Sequence, residues 1–491
     1  MNRREFIKGA AVTTAAVSAG GAFASNNTEK LALFGGTPII KPDAKQSAEM
    51  KELFAWPIVN EEMRKASDDV LVARKMSGTD IAQEFEKKFA EWQGLKNALV
   101  TLNGTTALNT AFYACGVGPG DEVICTSITM WSSCMGVVNL GGTVVFCDVN
   151  KDDLCMDPKS FEAHITPRTK AVIVVHVYAA PCDMDEIMRI AKKHNIKVIE
   201  DVSHAQGGYY KGKKLGTFGD ITAMSLMSGK SFAIGEGGIL LTNNDELYHR
   251  AIQWSSYARF KKQLPISMWK DTFNVPLGGI KNRLNQCTCA VGIEQLKKYD
   301  SECEEIHNAM MYYHDLLEQG GCKGGITRIY PSKYNGDRHA GVENGSTKAG
   351  WYASRSIYNP EFFKGISNRA FVEAVNAEIC GEKGVRSGCN WPMHWSAAFM
   401  GFDIFGNGKP PMSRYLPEGV TPKSLTGKLP VADTINDQVL GDPWFKHFDK
   451  KWIEIYAEAV CKVARNIDQL QGFDDSKLKH EMAPITDFKI T

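Results

Sequence analysis

The run AVIVVHVY at residues 171–178 is apolar at almost every position. A strand of this composition is covered on both faces, as in a parallel sheet with helices on each side. Helical spacing follows at residues 184–194, and a second β-rich run, KVIEDVS, begins at residue 197. This alternation of strand and helix predicts a doubly wound α/β sheet.

Comparable runs lie on either side of this stretch. They are ALVTLN (98–103), EVICTSI (122–128), TVVFCDV (143–149), ITAMSLM (221–227) and GILLTN (238–243). Together with residues 171–178 and 197–203, they predict one mostly parallel sheet of seven strands.

The pattern divides the chain into four segments. Residues 1–24 are interpreted as an export signal, residues 25–59 as an arm that packs on the body, and residues 60–300 as the large domain. The alternation stops near Tyr299, so residues 301–491 are expected to form a smaller C-terminal α+β domain.

Regular elements are sparser in the C-terminal segment. The spacing predicts a strand over Trp351–Tyr358, a helix capped by Ser367 and a last helix over about Lys450–Leu470. Residues 320–350 and 401–427 are rich in glycine and proline, and no regular element is expected there.

Composition excludes several classes of function. The 57 Lys and Arg residues balance 56 Asp and Glu residues, without the charged blocks that indicate nucleic-acid binding. The 13 cysteines lack the spacing of a zinc site or a disulfide framework, so most are expected to be buried core residues and no metal is expected. Beyond the N-terminus no segment approaches the roughly 18 apolar residues of a membrane span.

The N-terminus has the features of an export signal. Arg3 and Arg4 precede a weakly apolar stretch that ends in Ala22-Phe23-Ala24. The paired arginines make the segment twin-arginine-like, which predicts export in the folded state to the periplasm. The alternative is an N-terminal helix that stays attached to a cytoplasmic protein.

A lysine follows one of the predicted strands. Ser228-Gly229-Lys230 leaves the run at residues 221–227 and leads into Gly235-Glu236-Gly237-Gly238. Lys230 is therefore expected in a loop at a strand end, where open α/β sheets bind ligands. An amine held among apolar groups loses its proton readily, as an imine-forming lysine requires. Considered alone, Lys230 would be interpreted as a solvated loop lysine.

Two further features supply what pyridoxal 5′-phosphate (PLP) requires besides a lysine, a carboxylate for the ring nitrogen and donors for the phosphate. Asp201 ends one predicted strand, and His204 follows three residues later. Asn103-Gly104-Thr105-Thr106 joins a strand to a helix start, which offers amides and hydroxyls to an anion. Taken singly, Asp201 is equally a helix N-cap, and the second segment is equally an ordinary helix start.

Five motifs occur in an order that resembles the DegT/DnrJ/StrS-type aminotransferases, which use PLP and act on sugars or cyclitols. They are Asn103-Gly104-Thr105-Thr106-Ala107-Leu108, Gly118-Pro119-Gly120-Asp121-Glu122-Val123-Ile124, Glu200-Asp201-x-x-His204-Ala205, Ser225 five residues before Lys230, and Gly235-Glu236-Gly237-Gly238. The resemblance runs from about Asn60 to Asp300 and resumes weakly at Trp391 and Leu429.

The resemblance implies fold type I of the PLP-dependent transferases and a homodimer with shared active sites. It implies that Lys230 holds the cofactor as a Schiff base and then moves the substrate proton, that Asp201 pairs with the ring nitrogen, and that His204 lies beside the ring. The phosphate would be held by Gly104, Thr105, Thr106 and Ser225. The reaction implied is transfer of an amino group from glutamate or glutamine to a keto-sugar or keto-cyclitol.

Two positions depart from the family's pattern. Where the family stacks an aromatic ring on the cofactor, this chain has Met130, with Trp131 one place later. Either residue can take that role. The asparagine expected to reach the partner's phosphate is shifted by one place to Asn282, and Lys281 occupies its usual position. Weaker candidates for substrate contacts are His176, Arg283, His394 and Trp395.

The identity of residue 230 also bears on the alternative functions. Dehydratases of the same family carry histidine at this position, so the lysine argues against that activity. A non-catalytic sensor or binding protein of the cell envelope, and another fold type I enzyme such as a lyase, remain alternatives. An exported aminotransferase would meet free keto-sugars, glycosides or cyclitols rather than nucleotide-linked sugars. The arm Leu31–Pro38 also resembles the aminocyclitol and aminohydroxybenzoate branch.

Overall fold

The structure is a computed structural model that describes residues 29–256, 259, 264–265, 267, 275–330, 348–382, 384–404, 406–408 and 410–480. The expected export signal at residues 1–24 lies outside the described residues. So does most of the glycine-rich stretch at residues 320–350, from residue 331 to residue 347.

The seven predicted strands form one sheet. The strands before residue 300 are β1 (Asn97–Thr101), β2 (Glu122–Thr126), β3 (Thr143–Cys147), β4 (Thr169–Val175), β5 (Lys197–Asp201), β6 (Tyr209–Tyr210), β7 (Lys213–Lys214), β8 (Ile221–Ser225) and β9 (Gly238–Thr242). The order in the sheet is β1-β9-β8-β5-β4-β2-β3, while β6 and β7 form a separate hairpin. Only β9 runs antiparallel to its neighbours, so the predicted, mostly parallel α/β sheet is confirmed.

Burial explains why the central strands are apolar throughout. Residues 171–175 of β4 are at most 1% exposed, because helices cover both faces of the sheet. The run at residues 171–178 ends as a strand at Val175, three residues earlier than expected, and a short 3-10 turn follows. Tyr178 and Ala179 there have φ angles of 50° and 74°, which an extended strand does not accommodate.

Helices fill the spaces between the strands. Those of the large domain and its N-terminal approach are α1 (Ala44–Leu53), α2 (Glu61–Val72), α3 (Asp80–Gln93), α4 (Gly104–Ala114), α5 (Ser132–Asn139), α6 (Pro158–Ala163), α7 (Met184–His194), α8 (Asp245–Ser255) and α9 (Gln286–Leu296). In α7, Asp183 caps the first turn, and Met184, Ile187 and Ile190 pack inward at helical spacing.

A second, antiparallel sheet lies in the C-terminal segment. Its strands are β10 (Ile326–Arg328), β11 (Arg355–Tyr358), β12 (Arg386–Ser387) and β13 (Val439–Gly441), in the order β10-β11-β13-β12. The accompanying helices are α10 (Tyr299–Leu317), α11 (Asn368–Glu378), α12 (Ala397–Met400), α13 (Pro422–Thr426), α14 (Pro430–Thr434) and α15 (Lys450–Arg465). The division into domains at residue 300 stays a prediction.

Three expectations for this segment need correction. The strand expected over Trp351–Tyr358 begins only at Arg355, because Ala353 has a φ angle of 47°. The stretch at residues 320–350 contains β10. The stretch at residues 401–427 contains α13, which a capping box between Thr421 and Ser424 starts.

The N-terminal arm packs on the C-terminal segment. The amide of Leu31 donates to Gln469 Oε1 at 3.0 Å, and the amide of Ala32 donates to Glu378 Oε1 at 2.8 Å. Ser367 caps α11 as predicted, since its hydroxyl accepts from the amide of Ala370 at 3.1 Å.

The cysteines behave as core residues. All 13 are free thiols and 11 of them are buried, which confirms that prediction. Within the part of the chain that the structure describes, no helix is long and apolar enough to cross a membrane.

Candidate active site

Lys230 lies in a loop that hydrogen bonds close at both ends. The amide of Leu226 donates to the carbonyl of Gly237 at 2.8 Å, and the amide of Ser228 donates to that of Gly235 at 2.7 Å. Trp56 holds the lysine itself, because its indole Nε1 donates to the carbonyl of Lys230 at 2.8 Å. These bonds therefore fix the backbone from which the Lys230 side chain extends.

The amine of Lys230 lies inside the protein. The residue is 8% exposed, and its Nζ lies 3.9 Å from the centroid of the Tyr352 ring. Burial lowers the pKa of Lys230 to about 8, and the negative charge of Asp201 opposes that change in part. The neutral fraction of this amine near physiological pH is therefore far larger than that of an ordinary lysine, as a nucleophilic lysine requires.

The lowered pKa predicts how Lys230 reacts in the apoenzyme. Acetylation by limiting acetic anhydride should be half-maximal near pH 8 in the folded protein, against about 10.5 in the unfolded protein. Because only the neutral amine reacts, the folded state should react about two orders of magnitude faster near pH 7.5. Peptide mass spectrometry measures the label. Asp201→Asn should shift the midpoint to lower pH, and equal midpoints in folded and unfolded protein would contradict the assignment.

Asp201 ends β5 and is 3% exposed. Its Oδ1 accepts from the amide of Ser203 at 3.0 Å, and its Oδ2 accepts from the hydroxyl of Ser133 at 2.8 Å. Thr129 lies 2.9 Å from the Ser133 hydroxyl and continues this chain of hydroxyl groups. These bonds fix the position of the carboxylate, which suits a group that binds a protonated ring nitrogen.

His204 lies between two tyrosines. Its ring centroid is 4.4 Å from that of Tyr352 and 5.7 Å from that of Tyr178. Burial, and then the positive charges of Lys230 and Arg355, hold the pKa of His204 well below its usual range. The imidazole is therefore neutral, and its Nδ1 accepts from the amide of Tyr178 at 3.4 Å.

The start of α4 lies against the end of β8. A Cβ on Gly104 would lie 2.6 Å from the Cβ of Ser225, so only glycine permits this approach. Asn103 caps the helix by accepting from the amide of Thr106 at 2.9 Å. The amides of Gly104 and Thr105 lie in the first turn, where a helix offers no acceptor. They leave an anion-binding turn beside the Ser225 hydroxyl.

The structure thus brings the predicted phosphate ligands together. One of them, Thr106, already has hydrogen-bond partners in the helix cap. The hydroxyl of Thr106 completes the capping box by accepting from the amide of Asn103 at 3.2 Å, and it also donates to the carbonyl of Asn103 at 2.9 Å. Thr105 is half-buried and Ser225 is half-buried on the neighbouring strand end. The individual roles of these residues stay predictions.

The two residues that depart from the family's pattern lie in different settings. Met130 and Trp131 are 43% and 46% exposed at the start of α5, so neither side chain is packed in the core. Asn282 is 1% exposed, and its Oδ1 accepts from the amide of Leu102, one residue before the cap of α4. Among the described residues its Nδ2 has no hydrogen-bond acceptor, so it is a donor available near the anion-binding turn.

The weaker candidates for substrate contacts lie in different environments. His176 is fully buried and its Nε2 lies 3.2 Å from the Glu200 carboxylate, so the expected contact with substrate is wrong. His394 contacts Ser127 at 2.6 Å and Asp433 at 2.9 Å, and the indole of Trp395 donates to the same aspartate at 2.8 Å.

Sequence reasoning missed Tyr352, Ser133 and Trp56, all of which contact the predicted site. Ser133 carried a weak signal, since it lies among hydroxyl residues directly after β2. Tyr352 lies 122 residues beyond Lys230 in a segment without a motif, and only the packing of the second sheet brings it there.

The residues present fit PLP. The turn at Gly104, into which a side chain would intrude, suits the phosphate, the buried carboxylate of Asp201 suits the ring nitrogen, and the buried amine of Lys230 suits the aldehyde. The negative charge of Asp201 acts on the amine of Lys230, so these two groups lie in the same part of the structure.

Comparison with known proteins gives an independent result. The sequence profile of the DegT/DnrJ/EryC1/StrS aminotransferase family matches residues 57–333, more than half of the chain. The chain is 38% identical over 241 residues to GDP-perosamine synthase from Caulobacter vibrioides, a match that spans 48% of this chain and 62% of that enzyme.

A second relative matches over nearly the full length. The chain is 29% identical over 470 residues to a putative L-glutamine:3-amino-2,3-dideoxy-scyllo-inosose aminotransferase from Streptoalloteichus tenebrarius, covering 90% of this chain and 100% of that protein. The X-ray structure of an aminotransferase from Psychrobacter cryohalolentis superimposes with a TM-score of 0.70 at 27% identity, over 84% of this chain and 99% of that one.

Proposed function

The chain belongs to the DegT/DnrJ/EryC1/StrS aminotransferase family, and from this premise we propose that it transfers an amino group from glutamate or glutamine to the ketone of a sugar or cyclitol. The resemblance that the motif order predicted is confirmed, and the chain is a PLP-dependent aminotransferase. The observation that carries the proposal is the buried amine of Lys230, with a pKa of about 8, beside the fixed carboxylate of Asp201.

The residues of the site have separate tasks. When bound, PLP supplies an aldehyde that exchanges amino groups and a ring that withdraws electrons from the reacting carbon. Asp201 would hold the proton on the ring nitrogen, and the turn at Gly104 and Ser225 would hold the phosphate. The neutral Nζ of Lys230 would take the proton from the substrate carbon and return it. Trp56 holds the backbone of that lysine, because its indole donates to the Lys230 carbonyl.

A ketone that is not linked to a nucleotide is the proposed acceptor. The cyclitol-type relative aligns with 90% of this chain, including segments beyond the common core, whereas the relative named for a GDP-linked sugar aligns with 48%. An exported enzyme would also be separated from cytoplasmic nucleotide sugars. Both arguments favour an inosose, a free keto-sugar or a glycoside.

An acceptor panel tests the proposed reaction. Purified enzyme is first converted to its aminated form with glutamate or glutamine, and the donor is then removed. Addition of inososes or free keto-sugars should return the absorption of the aldehyde form, because both half-reactions share one site. Efficient return only with nucleotide-linked ketones would reject the proposed acceptor class. Absence of return with every ketone would favour the sensor or binding protein.

Export through a twin-arginine signal is the proposed localisation. Its support is the order Arg3-Arg4, weakly apolar stretch, Ala22-Phe23-Ala24 at the N-terminus. Replacement of both Arg3 and Arg4 by lysine should leave an uncleaved precursor in the cytoplasm of the producing cell, as measured by fractionation and N-terminal mass. The matched control is Arg74→Lys, outside the signal, which should fractionate as the unchanged protein does. Normal export of the double variant would refute this route.

A homodimer with shared active sites is the proposed assembly. The resemblance to the family supports it. The structure offers two consistent features, the exposed side chains of Met130 and Trp131 and the Nδ2 of Asn282, which has no acceptor among the described residues.

A further inference from the structure

Two tryptophan rings lie side by side in the C-terminal segment. Trp395 is 49% exposed, and its ring centroid lies 5.0 Å from that of Trp391, with an angle of 45° between the two planes. Tryptophan is largely buried in most proteins, and an exposed apolar patch with a polar rim marks a binding surface. The mechanism described above gives neither ring a task.

The two rings adjoin the active site at the end of β2. Pro392 pairs with Ile128 in an isolated antiparallel bridge. In that register Trp391 lies opposite Thr129. The hydroxyl of Thr129 begins the chain of hydroxyl groups that reaches the carboxylate of Asp201. A molecule that reacts in the active site can therefore extend over these rings.

One carboxylate fixes the edge of the exposed ring. The Oδ1 of Asp433 accepts from the indole Nε1 of Trp395 at 2.8 Å and lies 2.9 Å from the Nε2 of His394. The other ring nitrogen of His394 lies 2.6 Å from the hydroxyl of Ser127, directly after β2. The edge of the indole is thus held while half of its surface stays open. Trp391, His394, Trp395 and Asp433 together form the aromatic platform.

The aromatic platform is also fixed from the seven-stranded sheet. Asp433 lies in α14, and the amides of Val431 and Ala432 at the start of this helix donate to the carboxylate of Asp148 at 3.0 Å and 2.8 Å. Asp148 directly follows β3. Because strand ends hold the platform on two sides, little conformational freedom is lost when a ligand binds to it.

The second carboxylate oxygen of Asp433 is available to a ligand. The side chain is 37% exposed, and no described residue donates to its Oδ2. An acceptor beside an aromatic face suits a sugar, because the C–H groups of the sugar ring pack on the indole while its hydroxyls donate to the carboxylate. The negative charge of Asp433 repels a phosphate, and the platform contains no lysine or arginine.

We propose that the aromatic platform is a sugar-binding subsite and that the amino acceptor is a glycoside. The ring that carries the ketone reacts at Lys230, and a second sugar ring bonded to it packs on Trp395 and donates to Asp433. An inosose or a free keto-hexose has one ring and leaves the platform empty. The inference rests on the proposed function and narrows its acceptor class.

Trp395→Leu in the holoenzyme tests the proposal with two acceptors, a free keto-hexose and a keto-hexoside that carries a second hexose. The variant keeps an apolar side chain but loses the flat ring. The half-saturating concentration of the keto-hexoside should rise roughly 10-fold, whereas that of the free keto-hexose should change less than about twofold. Asp433→Ala should act in the same way, because it removes the acceptor and releases the edge of the indole.

The matched control is Phe448→Leu, at a ring that is 44% exposed and packs against Tyr312 of α10. It should leave both half-saturating concentrations unchanged. An equal rise for both acceptors in the Trp395 variant, or no rise for either, would overturn the subsite.

Binding of unreactive disaccharides separates this inference from the proposed activity. Saturation-transfer NMR of the holoenzyme with cellobiose, maltose and sucrose should show contact between protein and sugar for at least one of them, and Trp395→Leu should abolish that contact. This result is expected even if no ketone is ever aminated, in which case the proposed activity fails and the subsite stands. Absence of contact with all three disaccharides would refute the subsite.

Two other occupants of the platform are distinguished by the same variant. Uridine and guanosine monophosphate serve as probes for a nucleotide, and contact with their bases that Trp395→Leu abolishes would assign the platform to a nucleotide. Light scattering measures the assembly, and dissociation of the Trp395→Leu protein into smaller species would assign the platform to a subunit interface. Either result would overturn the proposal.

Discussion

Replacement of Lys230 by alanine is expected to lower the rate of transamination by about 10⁴- to 10⁶-fold, the range found when the reacting side chain of an enzyme is removed. The variant lacks both the amine that holds the cofactor and the base that moves the substrate proton. Steady-state rates with glutamate and an accepted ketone measure the loss. The variant should also fail to retain cofactor covalently after denaturation of borohydride-treated protein.

Two controls define the specificity of that loss. Lys87→Ala, at a side chain that is 78% exposed on α3, should leave the rate unchanged. Lys230→Arg keeps the positive charge but not a nucleophilic amine, so it should be as inactive as the alanine variant. A Lys230→Ala enzyme with a rate within tenfold of the unchanged protein would remove Lys230 from the mechanism.

Replacement of Asp201 by alanine is expected to lower the rate by about 10²- to 10³-fold, comparable to the loss of one preorganised electrostatic group elsewhere. The carboxylate keeps the ring nitrogen of the bound cofactor protonated, and without it the ring withdraws electrons poorly. Both half-reactions should slow, because each removes a proton from carbon. Rapid mixing followed by absorption spectroscopy measures each of them.

Two further variants distinguish the loss of the Asp201 charge from a loss of local structure. Asp201→Asn keeps an acceptor for the amide of Ser203 but not the charge, so it should be nearly as slow as the alanine variant. Ser133→Ala removes only the hydroxyl that donates to Asp201, and a loss of about tenfold or less is expected. If Asp201→Asn were fully active, Asp201 would serve folding and not catalysis.

Most of the seven-stranded sheet could be predicted from the sequence. The strands are apolar because both faces are covered, so the run at residues 171–178 and its neighbours identify the seven strands and their mostly parallel order. The ends of the strands were predicted less accurately. The strand at residues 171–178 ends at Val175, because Tyr178 and Ala179 have positive φ angles, and the hydropathy of a sequence does not reveal such angles.

The C-terminal segment was harder to predict. Its strands are two to four residues long, too short for a clear period, and Ala353 breaks the strand expected from Trp351. The helix at residues 422–426 starts from a local capping box, and the high glycine content of this stretch led to the expectation that it holds no regular element.

For the site, motifs predicted the residues that the large domain carries, and the structure brings Lys230, Asp201 and the turn at Gly104 into one region. Tyr352 and Arg355 could not be predicted, because they reach it through contacts between the two sheets. His176 was misjudged for the opposite reason. A histidine at a strand end suggests a ligand contact, but its partner is the buried Glu200.

The most direct test of the account is the position of the borohydride label. Reduction of the holoenzyme, followed by proteolysis and mass spectrometry, should place the pyridoxyl group on Lys230. Prior incubation with glutamate or glutamine should abolish that label, because the amino donor releases the lysine. A label on another lysine, or a label on Lys230 that no amino donor removes, would contradict an aminotransferase that works through Lys230.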